Sequence, residues 1–415
     1  MAQAPRYLPA VLAVVVLLLV ALQANRAPGS SAGERPLGAG CGGVELIESD
    51  AFPIFGSRTP EGSTGQTSGT GRGERCSTAC SSPLGSFGPG NWPGPCWRPY
   101  AETSPFNQRL PAVPRIDPNS AAIVRKVASW GGWFSDMYAG AADTSDDWEH
   151  PIYFSKASDP LYTVARAPGG YDSDYWGTRV HIPSGARAAG GSDGHLAVIE
   201  QPSASEWDLW NVRDARGRKL TKLPAGGGTI YAKGFGKAKV DGSGLNIGSG
   251  DANAARWGLL AGIIRAQEMQ GGEINHALYV YAKCDSGQIV YPASGHGARC
   301  SDPTNAPHQG TRFQLNMSDA QIDALAVPAW KKTILRAIAH YGMYVGDTGG
   351  SPMDLQFESG SGYTSFGYAD PMASFAEQAG IPRSSGGRYY FDLASGVDWA
   401  RYLRVIDPCV AKGTC

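Results

Sequence analysis

Apolar and polar side chains alternate along many short segments of the chain after residue 96, which is the pattern of strands with one buried face. Turn-forming Gly, Pro, Asn and Asp separate these segments, as is typical of sandwiches and barrels. The predicted strands cover residues 180–182, 195–200, 207–212, 274–282, 311–315, 354–358 and 389–393. The pattern therefore predicts a mostly β fold, a jelly-roll-like β-sandwich with a few packed helices.

Helical patterns are fewer than strand patterns. Ser318 and Gln321 have the spacing of a capping box, and a longer helix is predicted just beyond them, over residues 329–341. Residues 254–261 and 371–378 are shorter helix candidates. A parallel α/β sheet would need a helix after nearly every strand, so these few helices do not support one.

The first residues have the layout of a secretory signal, predicted over residues 1–27. Arg6 precedes the apolar residues 10–22, and small residues follow. This apolar run is shorter than the roughly 20 residues that a membrane-spanning helix needs. Residues 28–96 are rich in Gly, Ser, Pro and Thr and predict a linker, whereas residues 97–415 predict a single β-rich domain. We expect an extracellular protein, which an uncleaved signal would instead anchor to the membrane.

The chain has eight cysteines, and an even number in an exported protein indicates disulfides. They form two groups along the chain, namely Cys41, Cys76, Cys80 and Cys96, followed by Cys284, Cys300, Cys409 and Cys415. We predict the short-loop pairs Cys284–Cys300 and Cys409–Cys415. A zinc site at Cys76 and Cys80 is disfavoured because no second ligand pair lies nearby, and no other metal or cofactor is predicted.

Charge and aromatic content narrow the class of partner. The chain carries 36 basic and 37 acidic residues without any Lys/Arg cluster, so nucleic acid and anionic membranes are poor partners. Its 11 Trp and 18 Tyr residues can fill a core, and they can also stack on sugar rings. We therefore expect a monomer that binds a polysaccharide or cell-wall glycan.

Two histidines lie at the start of predicted strands, where either could act as a base. Period-2 alternation places His195 and Glu200 on opposite faces of their strand. His276 shares a face with Leu278 and Val280. A buried, hydrogen-bonded imidazole is the structural alternative for each histidine. We predict that His195, His276 and Arg312 point into one cleft.

Several side chains are candidates for holding a substrate. Arg312 and Gln314 share one strand face and could bind a carboxylate or sugar hydroxyls, although a surface ion pair is the alternative. Trp210 offers a stacking surface, and Glu358 adds a carboxylate on a strand face. These four residues are the predicted substrate-binding group.

The candidate catalytic residues fit two ways of cleaving a glycan. Hydrolysis needs two carboxylates that flank the bond, and the candidates are Glu200, Glu273, Asp347 and Glu358. Elimination would use His195, His276 or Tyr341 to remove a proton beside a uronate carboxylate held by Arg312. We favour a glycoside hydrolase slightly over a polysaccharide lyase, because hydrolysis is the commoner reaction.

Several segments together resemble a family of exported bacterial proteins to which no reaction is assigned. These segments are residues 104–107, 117–120, 195–200, 272–278, 311–315 and 339–343, and the likeness spans residues 104–350. In that family an acid matches Glu200, and there are counterparts of His195, Glu273, His276, Arg312, Tyr341 and Asp347. Beyond residue 350 the chain departs from the family, as in residues 357–360 and 363–366. The resemblance implies one intact domain and transfers no catalytic role.

Two further classes compete with a glycan-cleaving enzyme. A non-catalytic carbohydrate-binding or cell-envelope protein would use the same aromatic and polar faces without cleaving sugar. A secreted peptidase is disfavoured because the chain has no nucleophile-elbow or HExxH motif. A cleft of histidines and carboxylates with shifted pKa values would favour the enzyme.

Overall fold

The computed structural model describes residues 84–140, 145–349 and 352–415. The predicted signal and most of the predicted linker, with Cys41, Cys76 and Cys80, lie outside these ranges. Within them, no helix combines the length and hydropathy that a bilayer crossing needs.

Strands dominate the described residues, and most of the helices are short. Strands β1 to β14 are Tyr138–Ala139, Ile152–Ser155, Leu161–Arg166, Arg179–His181, Leu196–Glu200, Ser205–Trp210, Gly228–Ala232, Gly234–Lys239, Leu278–Ala282, Arg312–Leu315, Met343–Thr348, Met353–Leu355, Tyr389–Tyr390 and Leu403–Ile406. Helices α1 to α8 are Ser120–Ala128, Ala266–Gly271, Asp319–Asp323, Ala329–His340, Ser361–Thr364, Pro371–Gln378, Trp399–Tyr402 and Pro408–Lys412. A 3₁₀ turn spans Gln201–Ser203.

The strands form three main sheets. A five-stranded sheet has the order β12-β9-β11-β10-β14, a four-stranded sheet β2-β5-β6-β8, and a three-stranded sheet β4-β3-β7. The pairs β9/β11, β2/β5 and β3/β7 are parallel, and the other pairs in these sheets are antiparallel. The predicted mostly β sandwich with a few packed helices is confirmed.

Side-chain alternation lets the four-stranded sheet pack on both of its faces. Ala197 on one face belongs to a buried cluster that includes Tyr279 and Tyr344 of the five-stranded sheet. Val198 on the other face belongs to a cluster that includes Val164 of the three-stranded sheet. Because neighbouring residues of β5 point in opposite directions, the four-stranded sheet is the middle layer of three.

Helices cover the remaining face of the five-stranded sheet. Ile334 and Ile338 of α4 are buried in one cluster with Leu278 and Val280 of β9. The predicted apolar helix therefore packs against the sheet. This arrangement leaves the site described below on the opposite face of the five-stranded sheet.

Several local predictions are confirmed. The capping box of Ser318 and Gln321 opens α3. Helices α4 and α6 match the predicted residues 329–341 and 371–378 within one residue at each end. The disulfides Cys284–Cys300 and Cys409–Cys415 both form, with a sequence separation of 16 and 6 residues.

Two predictions need correction. Residues 254–261 are not a helix, because Arg256 has φ = 62° and its backbone N–H is taken by the Asn253 side chain. The folded domain also begins upstream of the predicted start at residue 97. Phe87 is 1% exposed, and its backbone N–H donates to the Gln201 side chain.

Candidate active site

A row of aromatic and imidazole rings crosses one end of the four-stranded sheet. The parallel register of β2 on β5, continued by two residues, places His150 beside His195. The antiparallel register of β5 on β6, continued by one residue, places Trp210 opposite His195. These three side chains share the sheet face that looks toward the five-stranded sheet.

Backbone carbonyls determine the tautomers of the two histidines. Nδ1 of His150 lies 2.8 Å from the carbonyl oxygen of Leu259, and Nε2 of His195 lies 3.2 Å from that of Ala252. Because a carbonyl only accepts, each of these nitrogens carries the proton. Nε2 of His150 and Nδ1 of His195 consequently keep free lone pairs, and neither of these buried atoms has a hydrogen-bond partner among the described residues.

Burial keeps both imidazoles neutral. It lowers the pKa of His195 to about 4 and holds the pKa of His150 well below 6.5, where repulsion from His195 adds to the effect. The two ring centroids are 4.6 Å apart. The site therefore holds two adjacent uncharged bases at neutral pH.

A second row crosses the facing sheet. Tyr281 of β9 pairs in register with Asp347 of β11 and with Asp354 of β12. Tyr279 precedes Tyr281 on the same face, and its ring lies 5.2 Å from the Tyr281 ring and 5.9 Å from the His150 ring. Tyr279 thus connects the two rows.

The carboxyl and the phenols of this second row have raised pKa values. Burial raises the pKa of Asp347 to about 7. The backbone N–H groups of Thr348, at 2.7 Å, and Ala254, at 3.2 Å, donate to its carboxylate and lower the pKa, but burial has the larger effect. Burial, followed by the negative charge of Asp347, raises the pKa of Tyr279 and Tyr281 well above 10. Both tyrosines are therefore protonated at neutral pH, whereas Asp347 is near its midpoint.

Aromatic rings lie at the rim of this site. Trp148, two residues before His150, is 45% exposed. Tyr171, which is 58% exposed, stacks on Trp210 with centroids 5.7 Å apart and planes at 19°. Half-buried Asp193 precedes the His195 strand and adds a carboxylate. Stacking rings beside an acid–base group are suited to a sugar chain.

We call this group the His–Tyr–Asp cleft; it comprises His150, His195, Tyr279, Tyr281, Asp347 and Asp193, with Trp148, Tyr171 and Trp210 at its rim. Of the predicted site residues, His195, Asp347 and Trp210 belong to it. The remaining predicted residues lie elsewhere, each for a reason visible in its contacts.

His276 and Glu358 belong to a separate buried polar group. His276 Nε2 lies 3.0 Å from Glu268, which also pairs with Arg265 at 2.8 Å. The Glu358 carboxylate accepts from the Tyr363 hydroxyl at 3.2 Å, and burial raises its pKa to about 7. The hydrogen-bond partners of the His276 ring are Glu268 and the Ala277 carbonyl, neither of which is bonded to His195, so the prediction that it shares a cleft with His195 is wrong.

Glu200 and Glu273 are also remote from the cleft. Glu200 pairs with His181 at 3.1 Å on the side of the three-stranded sheet, which confirms that it faces away from His195. Glu273 is exposed, and its carboxylate contacts no partner in the described part of the chain. Neither carboxylate is placed to work with the histidines.

Arg312, Gln314 and Tyr341 have structural contacts of their own. The Arg312 guanidinium donates to the carbonyl oxygens of Tyr341 at 2.8 Å and of Gln108 at 2.7 Å. Gln314 donates to Ala339 at 2.7 Å, and the Tyr341 side chain is buried between the sheets. Arg312 therefore shares no partner with His195, and the predicted single cleft is not formed.

Sequence reasoning missed His150, Tyr279 and Tyr281. His150 precedes β2, a strand that was not predicted because its residues are apolar on both faces. The two tyrosines lie inside a predicted strand and alternate with Leu278 and Val280. This alternation predicts that both phenols lie on one face of the strand, so the sequence could have identified them as a pair.

The described residues contain no cluster of three or more His, Cys, Asp or Glu side chains placed to hold a metal ion. No family model, no curated protein and no solved structure matches the chain. The chemistry of the His–Tyr–Asp cleft is therefore argued from its own geometry.

Proposed function

We propose that the protein is a secreted polysaccharide lyase that cleaves an acidic glycan at a uronate unit. The observation that carries this proposal is the pair of neutral imidazoles with free lone pairs beside two protonated tyrosines. Elimination needs a base to remove a carbon-bound proton and an acid to protonate the leaving oxygen. The cleft contains both kinds of group.

The proposed step assigns one role to each side of the cleft. The step requires that the substrate reach Nδ1 of His195, which is buried in the free protein. That atom takes the proton from C5 of the uronate, and the released electron pair forms a double bond between C5 and C4. The bond between C4 and the bridging oxygen breaks, and that oxygen takes a proton from the Tyr281 hydroxyl. No external oxidant or water is consumed, and the product is an unsaturated uronate.

Asp347 has the third role in this proposal. In its protonated form it would donate a hydrogen bond to the uronate carboxylate, which makes the neighbouring C5 proton easier to remove. The stacked Tyr171–Trp210 pair and Trp148 would hold neighbouring sugar rings. Secretion is supported by the signal-like N-terminal pattern and by two disulfides, which are typical of exported proteins.

Hydrolysis is the second candidate, and one observation favours it. The pKa of Asp347, about 7, also suits a general acid, and Asp193 would then supply the second carboxylate. This mechanism would leave the free lone pairs of both histidines without a role, so we place elimination first.

The deciding experiment measures unsaturated uronate by ultraviolet absorbance and new reducing ends in parallel, on a panel of acidic and neutral polysaccharides. His195→Gln should lower the rate by about 10²- to 10⁴-fold, which is the usual contribution of a general base to the rate. His181→Gln is the matched control, because His181 pairs with Glu200 on a different layer.

Three other results would contradict the proposal. Reducing ends without unsaturation would mean hydrolysis. Retention on an insoluble glycan without cleavage would mean a binding protein. An unchanged rate in His195→Gln would remove the histidine from the reaction.

A further inference from the structure

An open cavity of about 540 Å³ lies away from the His–Tyr–Asp cleft. Three arginines, Arg109, Arg115 and Arg312, line it together with the Cys409-bonded Cys415. None of its lining residues belongs to the cleft. Its volume is in the range of cavities that hold small ligands.

Two of the three arginines that line this cavity have no carboxylate partner among the described residues. Arg115 pairs with Asp407 at 3.1 Å, but no carboxylate in the described ranges pairs with Arg109 or Arg312. Arg312 is 3% exposed, and its two hydrogen bonds go to neutral carbonyl oxygens. Its guanidinium also lies 4.9 Å from the centroid of the Tyr344 ring, which offers a cation–π contact but no counter-charge. A buried cation without a counter-charge is costly, so an anion that enters the cavity would be strongly favoured.

A further arginine extends the cationic face. Arg404 lies opposite Gln314 in the register of β10 and β14, on the same face as Arg312. Its Nε donates to the Gln314 side chain at 2.9 Å, and no carboxylate in the described residues pairs with it. Arg404 adds positive charge on this sheet face, although it is not among the residues that line the cavity. The guanidinium groups that do line it suit the planar oxygens of carboxylate or sulfate.

We propose that this arginine cavity binds an acidic sugar unit through its oxyanion, as a second glycan site distinct from the His–Tyr–Asp cleft. The oxyanion chemistry follows from Arg109 and Arg312 alone, whereas the choice of a sugar as its carrier rests on the proposed function. Such a site would hold the polyanion to the enzyme while another stretch of the same chain occupies the cleft.

The test measures the chemical modification of an arginine inside the cavity, so that ligand binding in the His–Tyr–Asp cleft does not affect the result. The full-chain protein is treated with phenylglyoxal, with and without trigalacturonate, and modification of Arg109 is measured by peptide mass spectrometry. Arg216, which is exposed and far along the chain, is the internal control. Inorganic sulfate and neutral maltotriose are the comparison probes.

Trigalacturonate is expected to slow the modification of Arg109 several-fold and to leave the modification of Arg216 unchanged. Maltotriose is expected to protect neither arginine. Arg312→Lys should remove most of this protection, since a lysine cannot make the same bidentate contacts. Because Arg312 also holds two backbone carbonyls, Arg115→Gln is run beside it as a second variant. Arg115 also lines the cavity, so its loss should weaken protection as well.

Two outcomes would overturn the inference. Protection by sulfate but not by trigalacturonate would mean a site for a free inorganic anion. If neither trigalacturonate nor sulfate protects Arg109, the arginines bind no anion. His195→Gln should leave the protection unchanged, so a failure of the proposed lyase reaction and a failure of this site are read from different measurements.

Discussion

At the scale of single residues, hydrogen bonds to carbonyls rather than to carboxylates decide the chemistry of the two histidines. A carboxylate partner would raise the pKa of an imidazole, as an opposite charge does, whereas Leu259 and Ala252 offer only neutral oxygens. His150 and His195 therefore remain uncharged bases. The strand and the face of His195 could be predicted from the sequence, but these partners could not, because they lie in a loop remote along the chain.

The neutral histidines make stability depend on pH. The folded-state pKa of His195 is about 4, below the ordinary 6.5, so the unfolded chain binds more protons between these values. Stability that is fully present above pH 6.5 should be lost as the pH falls toward 4, by about 3 kcal/mol from this residue. Urea unfolding at several pH values measures the loss.

His195→Gln is the control for this pH dependence. The variant lacks the titrating ring, so its free energy of unfolding should fall less steeply between pH 6.5 and 4 than that of the wild type. Equal slopes in the two proteins would show that His195 is not buried in its neutral form.

Asp347 should control the alkaline limb of activity. Its pKa of about 7 means that it loses its proton as the pH rises through neutrality, and the ionised form would repel a uronate carboxylate. We expect the wild-type rate to fall above pH 7, and Asp347→Asn to keep its rate to higher pH because its amide does not ionise. A parallel decline in both proteins, in profiles of kcat/KM, would contradict this role.

At the scale of elements, strand alternation was predicted well and strand position less well. The observed β9, Leu278–Ala282, is the second half of the predicted segment 274–282. Residues 254–261 have a helical composition, but tertiary contacts of Asn253 and a left-handed Arg256 override it. Local propensity identifies which segments are regular, whereas packing decides where they begin and end.

A glycine in β11 should be needed for the cleft to form. The register of β11 on β9 shifts between Val345 and Asp347, and a Cβ at Gly346 would overlap the Tyr279 ring. We expect Gly346→Ala to lower the free energy of unfolding by about 1–3 kcal/mol, the usual cost of overpacking, and to reduce activity. Chemical denaturation and the lyase assay measure the two effects.

Gly386→Ala is the matched control, because a Cβ there would meet only ordinary contacts of 3.6 Å or more. It should leave stability and rate close to wild type. If the two variants behave alike, the close approach of Gly346 to Tyr279 is not important.

At the scale of the whole molecule, the cleft lies between two sheets, and the packing of one sheet on the other could not be predicted from the sequence. A mostly β sandwich follows from alternation and turn residues. The three-layer stacking depends on contacts between distant segments, such as the buried cluster that Ala197 of β5 shares with Tyr279 of β9 and Tyr344 of β11. His150 and Asp347 approach one site only because of that stacking, and their spacing in the sequence carries no sign of it.

The disulfides contribute to stability through the loops they close. Replacing Cys284 and Cys300 together by serine should lower the free energy of unfolding by about 3 kcal/mol, the value for a loop of similar length. The pair Cys409–Cys415 closes a shorter loop, so its double serine variant should lose less. Denaturant titrations of the two variants compare the losses, and the reverse order would contradict the loop argument.

The order of the strands along the chain also sets the order in which the two rows of the site can form. The histidine row is complete once the chain has emerged through β6, whereas the facing row needs β9, β11 and β12. Because pairings between distant segments form slowly, the newly made chain contains the histidine row before the facing row can form. On the proposed lyase mechanism, activity would therefore come late in synthesis, and a chain cut short before β11 would have both histidines but would lack Asp347 opposite Tyr281.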